Sequence, residues 1–313
     1  MKQWKEIIIY VHGITPEANV HSHRKNYADL HKKVSVYCQK LGKSFGEEKV
    51  MVEWGWEGSL YKDRYLAEAE RKVAKLVFEE MKRCKDFTIN PLRFSLSLIR
   101  KLFLYGVADI FYYVSEEGKR IVRRNIFAHI LHSLERVRQN YLPQRLSLTC
   151  IGHSAGTVIL HDFLYHLFSK SYLSKSPPVY KDFNKKEKSL LTLGRELAQK
   201  KKLRLRKFYT FGSPITPLLF RSQNLIEQVV ANKQKGFLDI SQIGIIPYKD
   251  LTPPRWVNFW DKDDFIAYPV KFLYKDNTEQ IKDVCIDVSD RIFAAHSKYW
   301  RSKKVAFQIA QTY

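Results

Sequence analysis

The segment that most constrains this chain is Gly152-His153-Ser154-Ala155-Gly156 with its two flanks. Before it, Leu146-Ser147-Leu148-Thr149-Cys150-Ile151 is a short, mostly apolar run of the kind that forms a buried strand. After it, Ala155 to Phe168 carries Val158, Ile159, Phe163, Leu164, Leu167 and Phe168, spaced as a helix with a wide apolar face. A strand that feeds straight into a helix needs a sharp turn. Glycine at 152 and 156 removes side chains that would collide with the neighbouring strand or helix, so the Ser154 hydroxyl stands clear of the backbone. In that setting G-x-S-x-G presents a serine to a substrate carbonyl.

The rest of the chain alternates in the same way. Ile7 to Val11 is a continuous run of β-branched and aromatic residues, as a central parallel strand requires, and it ends in the turn His12-Gly13-Ile14-Thr15-Pro16. A helix is predicted over about Arg24 to Leu41, then strands at Val50 to Trp56, Phe208 to Phe211, Trp256 to Trp260 and Val284 to Val288. A closing helix is predicted from Lys298 to Thr312. Strands alternating with helices imply a mostly parallel sheet with right-handed crossovers. Two stretches depart from the alternation. Ser59 to Tyr141 has almost no strand signal and reads as a helical insertion, beginning with a helix over about Leu60 to Cys84. Ser169 to Leu205 is polar and basic and reads as a second insertion.

With 313 residues, 45% hydrophobic and 14% aromatic, the chain can bury a large core as one domain. Its formal charge of +22 favours anionic partners, acidic lipid head groups or nucleic acid. The four cysteines are far apart, as free thiols are, and no signal-peptide pattern opens the chain, so a cytoplasmic location is expected. Leu92 to Val114 is the most apolar region. Arg93, Arg100, Lys101 and Asp109 interrupt it, against the roughly 20 uncharged residues a membrane span needs. His21, His23 and His31 have no acidic or thiol partner spaced with them and read as a solvated loop and helix face.

A serine needs a base to take its proton, a carboxylate to orient that base, and donors for the oxyanion. After Gly156 only His161, His166 and His296 remain. The first two lie within the helix that leaves the turn, pointing away from its top. That leaves His296, expected in a loop after the last strand. The carboxylate should follow the preceding strand, where Asp261, Asp263 and Asp264 all stand. Asp264 is favoured because an apolar pair follows it, with Asp261 next; Asp263 and residues such as Asp287 remain open. The oxyanion donors are expected to be the backbone N–H groups of Ala155 and of Ile14, with Thr15 after it. His12, at a strand end, is read as orienting that loop.

Five segments together resemble α/β-hydrolase serine hydrolases, most closely the lipase- and esterase-like branch. They are Tyr10-Val11-His12-Gly13, Gly152 to Gly156, Thr210-Phe211-Gly212-Ser213-Pro214, Asn258 to Asp264, and His296-Ser297-Lys298-Tyr299-Trp300. The resemblance covers about half of the chain and neither insertion. It implies an α/β-hydrolase fold that starts at the strand usually third, hence about six strands. It also implies an ester hydrolase with Ser154, Asp264 and His296 as its triad and no metal or cofactor. Thr15, His153, Ser213, Pro214 and Phe265 are then expected at the substrate. The apolar Leu92 to Val114 segment and Pro217-Leu218-Leu219-Phe220 are candidates for a lid or an acyl tunnel, and the basic stretch Lys181 to Lys207 for contact with anionic membrane. The same triad serves thioesterases, amidases and acyltransferases. The alternative from another class is a non-catalytic scaffold that holds membrane or nucleic acid on its positive surface; no nucleic-acid motif accompanies the charge.

Overall fold

The computed structural model describes residues 4–13, 20–54, 116–141, 145–172, 177–219, 238–275, 279–289 and 292–313. Six strands form one all-parallel sheet: β1 (Trp4–Val11), β2 (Glu48–Val52), β3 (Arg145–His153), β4 (Leu203–Phe211), β5 (Trp256–Trp260) and β6 (Ile281–Cys285). Their spatial order is β2-β1-β3-β4-β5-β6. Helices flank both faces: α1 (Val20–Lys40), α2 (Glu116–Tyr141), α3 (Ala155–Phe168), α4 (Lys185–Gln199), α5 (Ile215–Leu219), α6 (Ile292–Lys298) and α7 (Lys303–Thr312). A two-residue pairing of Leu238–Asp239 with Tyr274–Lys275 lies apart from the main sheet.

Two cores follow from the period-two alternation of the strands. On β1, Ile7, Ile9 and Val11 face one core with α2, α3 and α4, through residues such as Ile126, Phe163 and Leu191. Ile8 and Tyr10 face the other, with Tyr27 and Leu30 of α1 and Val305 and Ile309 of α7. All five of these β1 residues are fully buried, which is why the strand reads as an unbroken apolar run.

The strand order locates the site. β2 lies on one side of β1 and every later strand on the other, so the sheet reverses direction between β1 and β3. In open α/β sheets ligands bind in the crevice at such a reversal, outside the carboxyl ends of the strands. The turns after β1 and β3 both open there. They carry Gly13 and Ser154.

Several boundaries differ from expectation, and three of them have a clear physical reason. β4 starts at Leu203 rather than near Phe208, because its cations hide an inward-facing strand. Arg204 lies 3.8 Å from the Trp4 ring centroid and pairs with Asp250 at 2.7 Å. Lys207 is buried, donating to the Thr252 and Pro254 carbonyls at 3.2 and 2.6 Å. The last strand covers Ile281–Cys285 rather than 284–288. Its Asp283 interrupts the apolar pattern yet is used inside the fold, accepting from Asn258 Nδ2 and from the N–H groups of Val270 and Lys271. The closing helix starts at Lys303, where Ser302 caps it by accepting the Val305 N–H at 3.3 Å.

Of the predicted helical insertion, α2 is described; the helix expected over Leu60 to Cys84 and the apolar Leu92 to Val114 segment lie outside the described residues. Among the described residues no helix is long and apolar enough to cross a membrane. In the second insertion, α4 begins with a capping box between Asn184 and Glu187, and its Arg195 is buried, donating to the carbonyls of His166 and Ser169 at the end of α3.

Candidate active site

Ser154 occupies the turn between β3 and α3 with φ 52° and ψ −131°, a region that costs a non-glycine residue on the order of 1–3 kcal/mol. Its side chain makes no capping bond to α3, so the hydroxyl is not consumed by the helix it precedes. Glycine makes this geometry possible from both sides. A Cβ at Gly156 would stand 2.4 Å from the carbonyl oxygens of Val11 and His12, so α3 can approach β1 only without one. A Cβ at Gly13 would stand 2.3 Å from Ser154 Cβ and 2.9 Å from its Oγ. The turn after β1 therefore lies directly against the serine.

Asp264 and His296 form a pair. His296 Nδ1 lies 2.9 Å from Asp264 Oδ2 and 3.1 Å from Oδ1. A carboxylate only accepts, so Nδ1 carries the proton and Nε2 keeps its lone pair. Burial alone would raise the Asp264 pKa. The Nδ1–H bond from His296, the charge of that ring once it is protonated, the Ile266 N–H and the Tyr299 hydroxyl outweigh it and hold the carboxyl below its ordinary value. Tyr299 Oη also accepts the Asp261 N–H at 3.0 Å, so one phenol ties the loop to its carboxylate. No role for Tyr299 was read from the sequence; its place three residues after His296 was the available signal.

The same contacts separate the aspartates. Asp261 accepts the Asp263 N–H at 2.9 Å and the Val288 N–H at 2.7 Å, which makes it a brace for the loop after β5. Asp263 is half-buried in that turn. Asp287 is exposed and paired with Lys304. Of these carboxylates, Asp264 alone lies at the imidazole among the described contacts. His296 itself sits in α6 rather than in a loop, since Ala294-Ala295-His296-Ser297-Lys298 continues a helix readily.

Ser154 and this pair meet at Phe211-Gly212. The Ser154 N–H donates to the Phe211 carbonyl at 3.0 Å. A Cβ on the next residue, Gly212, would lie 3.1 Å from His296 Nδ1 and 3.2 Å from Asp264 Oδ2. The described contacts include no hydrogen bond between Ser154 Oγ and His296; before substrate arrives such bonds are commonly long.

His153, expected at the substrate, is buried against the His296 ring. Its Nε2–H donates to the main-chain carbonyl of His296 at 2.6 Å, with ring centroids 4.7 Å apart. Burial, then the neighbouring His296, lowers its pKa to about 3, so it is a neutral donor. His12 is likewise buried and orients its loop: Nδ1–H donates to the Gly13 carbonyl, and Nε2 accepts the Trp54 N–H at 3.0 Å. The Trp54 indole N–H donates to the His12 carbonyl at 2.7 Å. His23 stacks on His12 at 3.8 Å, and His31 lies 2.9 Å from the Tyr10 hydroxyl. Neither belongs to the solvated face read from the sequence, because aromatic packing rather than charge placed them.

Ala155 opens α3, so its N–H is one of the donors a helix start leaves without an internal partner. Ile14 and Thr15 lie outside the described residues. Ser213 is buried with its hydroxyl 2.9 Å from Thr157 Oγ1, Pro214 is buried, and Phe265 is half-buried beside Asp264. Leu218 and Leu219 pack partly against the α2–α4 core, while Phe220 is outside the described residues. No protein-family model matches the sequence, and no curated protein matches it.

Proposed function

We propose that this chain is an α/β-hydrolase that cleaves carboxylic esters through an acyl-enzyme. The observation that supports it is the strained Ser154 turn, packed against Gly13 and joined through Phe211-Gly212 to a carboxylate–imidazole pair whose free nitrogen is Nε2. His296 Nε2 takes the Ser154 proton as Oγ attacks the ester carbonyl. The Ala155 N–H and the Ile14 N–H stabilise the oxyanion. His296 then protonates the leaving alcohol, and water, deprotonated by the same nitrogen, releases the acid. Asp264 stays ionised and holds the imidazole in the tautomer that can accept.

A panel of p-nitrophenyl esters of graded acyl length, run on wild type and Ser154→Ala, tests the reading. Loss of the nucleophile lowers kcat by something on the order of 10⁶. Equal rates for the two proteins overturn it. The chain-length profile separates an esterase from a lipase.

A further inference from the structure

Beyond Cys285, at the carboxyl edge of β6, the chain forms a cavity of about 690 Å³. It is lined by Lys298, Arg301, Lys303 and Lys304, together with Asp287 and Ser289. All four cations are exposed, and only Lys304 has a carboxylate partner among the described residues, Asp287 at 3.2 Å. Lys298 donates to the Ser289 hydroxyl at 3.1 Å and Arg301 to the Asn26 side chain at 3.3 Å, both neutral acceptors. Lys303 has no ion pair among the described residues. Like charges gathered on one concavity repel one another, and a bound anion relieves that repulsion.

We propose that this cavity seats the phosphomonoester head group of an anionic membrane lipid. Its four cations line one hollow, which suits a compact, doubly charged group better than an extended nucleic-acid backbone. Arg301 supplies a planar fork and the lysines point charges, the combination that recognises phosphate. The cavity lies on the same edge of the sheet as Ser154, so a bilayer held there faces the turn that carries the serine. Tyr268, on the loop after β5, donates its N–H to the Ser213 carbonyl and is itself 42% exposed, as aromatic residues at a membrane interface are.

Sedimentation with phosphatidylcholine vesicles, with and without phosphatidate, tests this on the full chain. The variant is Arg301→Gln/Lys303→Gln/Lys304→Gln. The control, Lys185→Gln/Lys186→Gln/Lys188→Gln, removes the same charge from the exposed face of α4. Wild type and control bind phosphatidate vesicles alike, and the cavity variant binds roughly a hundredfold less, since each cation at such a surface contributes about a factor of five. Equal loss in both variants means that net charge alone drives binding and overturns the site. Equal binding of wild type to phosphatidylserine vesicles overturns the preference for a phosphomonoester. Saturable binding of inorganic phosphate without vesicle binding assigns a soluble phosphate ligand instead. Binding of duplex DNA that only the cavity variant loses, without vesicle binding, assigns nucleic acid. Vesicle binding persists in Ser154→Ala, so its failure is distinct from a failure of the hydrolase reading.

Discussion

His153 donates its Nε2–H to the carbonyl of His296 at 2.6 Å, so the residue before the proposed nucleophile holds the backbone of the proposed base. His153→Phe keeps a ring against Phe211, Tyr299 and Trp300 but removes that donor. Leaving a part-buried carbonyl without its partner costs about 1–3 kcal/mol. The expected outcome is a lower Tm together with a lower kcat at little-changed KM. His153→Gln, which offers an amide donor at similar reach, restores part of both. A kcat unaltered in His153→Phe would show that the bond plays no part in placing the base.

Strain at Ser154 makes a second prediction. Replacing it by glycine relieves a backbone conformation costing on the order of 1–3 kcal/mol, offset by the roughly 0.5–1 kcal/mol of chain entropy that glycine loses on folding. Ser154→Gly is therefore expected to be inactive yet about 1 kcal/mol more stable than Ser154→Ala by urea denaturation. Equal stability of the two variants would mean that the turn stores no strain.

Asp264→Asn preserves shape and removes the charge that selects the Nδ1–H tautomer of His296. A fall in kcat on the order of 10⁴ is expected, the size seen when a triad loses its carboxylate. Asp261→Asn, which alters the brace rather than the pair, is expected to lower Tm while changing kcat far less. The two substitutions thus separate stability from chemistry within one loop.

Acid should loosen the fold before it touches the carboxylates. His153 and His166 are buried, and burial lowers their pKa values to about 3 and about 4. In the unfolded chain both titrate near 6.5, so above that pH neither state holds the protons and stability is independent of them. As pH falls from 6.5 toward 4, the unfolded chain binds protons the folded chain refuses. Each fully buried ring then removes up to about 1.4 kcal/mol per pH unit. Asp264, held below its ordinary value, contributes stability that is lost only at lower pH. Urea midpoints at pH 7, 6 and 5 are expected to decline steadily below 6.5; a flat profile would contradict the buried, neutral imidazoles.

What the sequence disclosed followed from sterics and alternation. Ile7 to Val11 and Gly152 to Gly156 have few ways to fold, and the six predicted strands all overlap observed ones. Asp264 and His296 were legible because chain order left little else. The choice between Asp264 and Asp261 needed hydrogen bonds, since both follow β5 and both are buried. The first half of β4 was hidden because Arg204 and Lys207 read as solvated charge until Trp4, Asp250 and the 252–254 carbonyls are placed around them. The buried His153 and the Tyr299 bridge were illegible for the same reason. Their roles are set by which polar group lies opposite across the fold, and local spacing carries no record of that.

The clamp on His12 carries a further consequence. Because Trp54 holds that residue at both its ring and its carbonyl, the segment leaving the outermost strand of the sheet has become part of the foundation under Gly13. Peripheral strands usually tolerate trimming or replacement. Here, damage at the rim should surface first in the turn beside Ser154, with the rest of the protein still well folded.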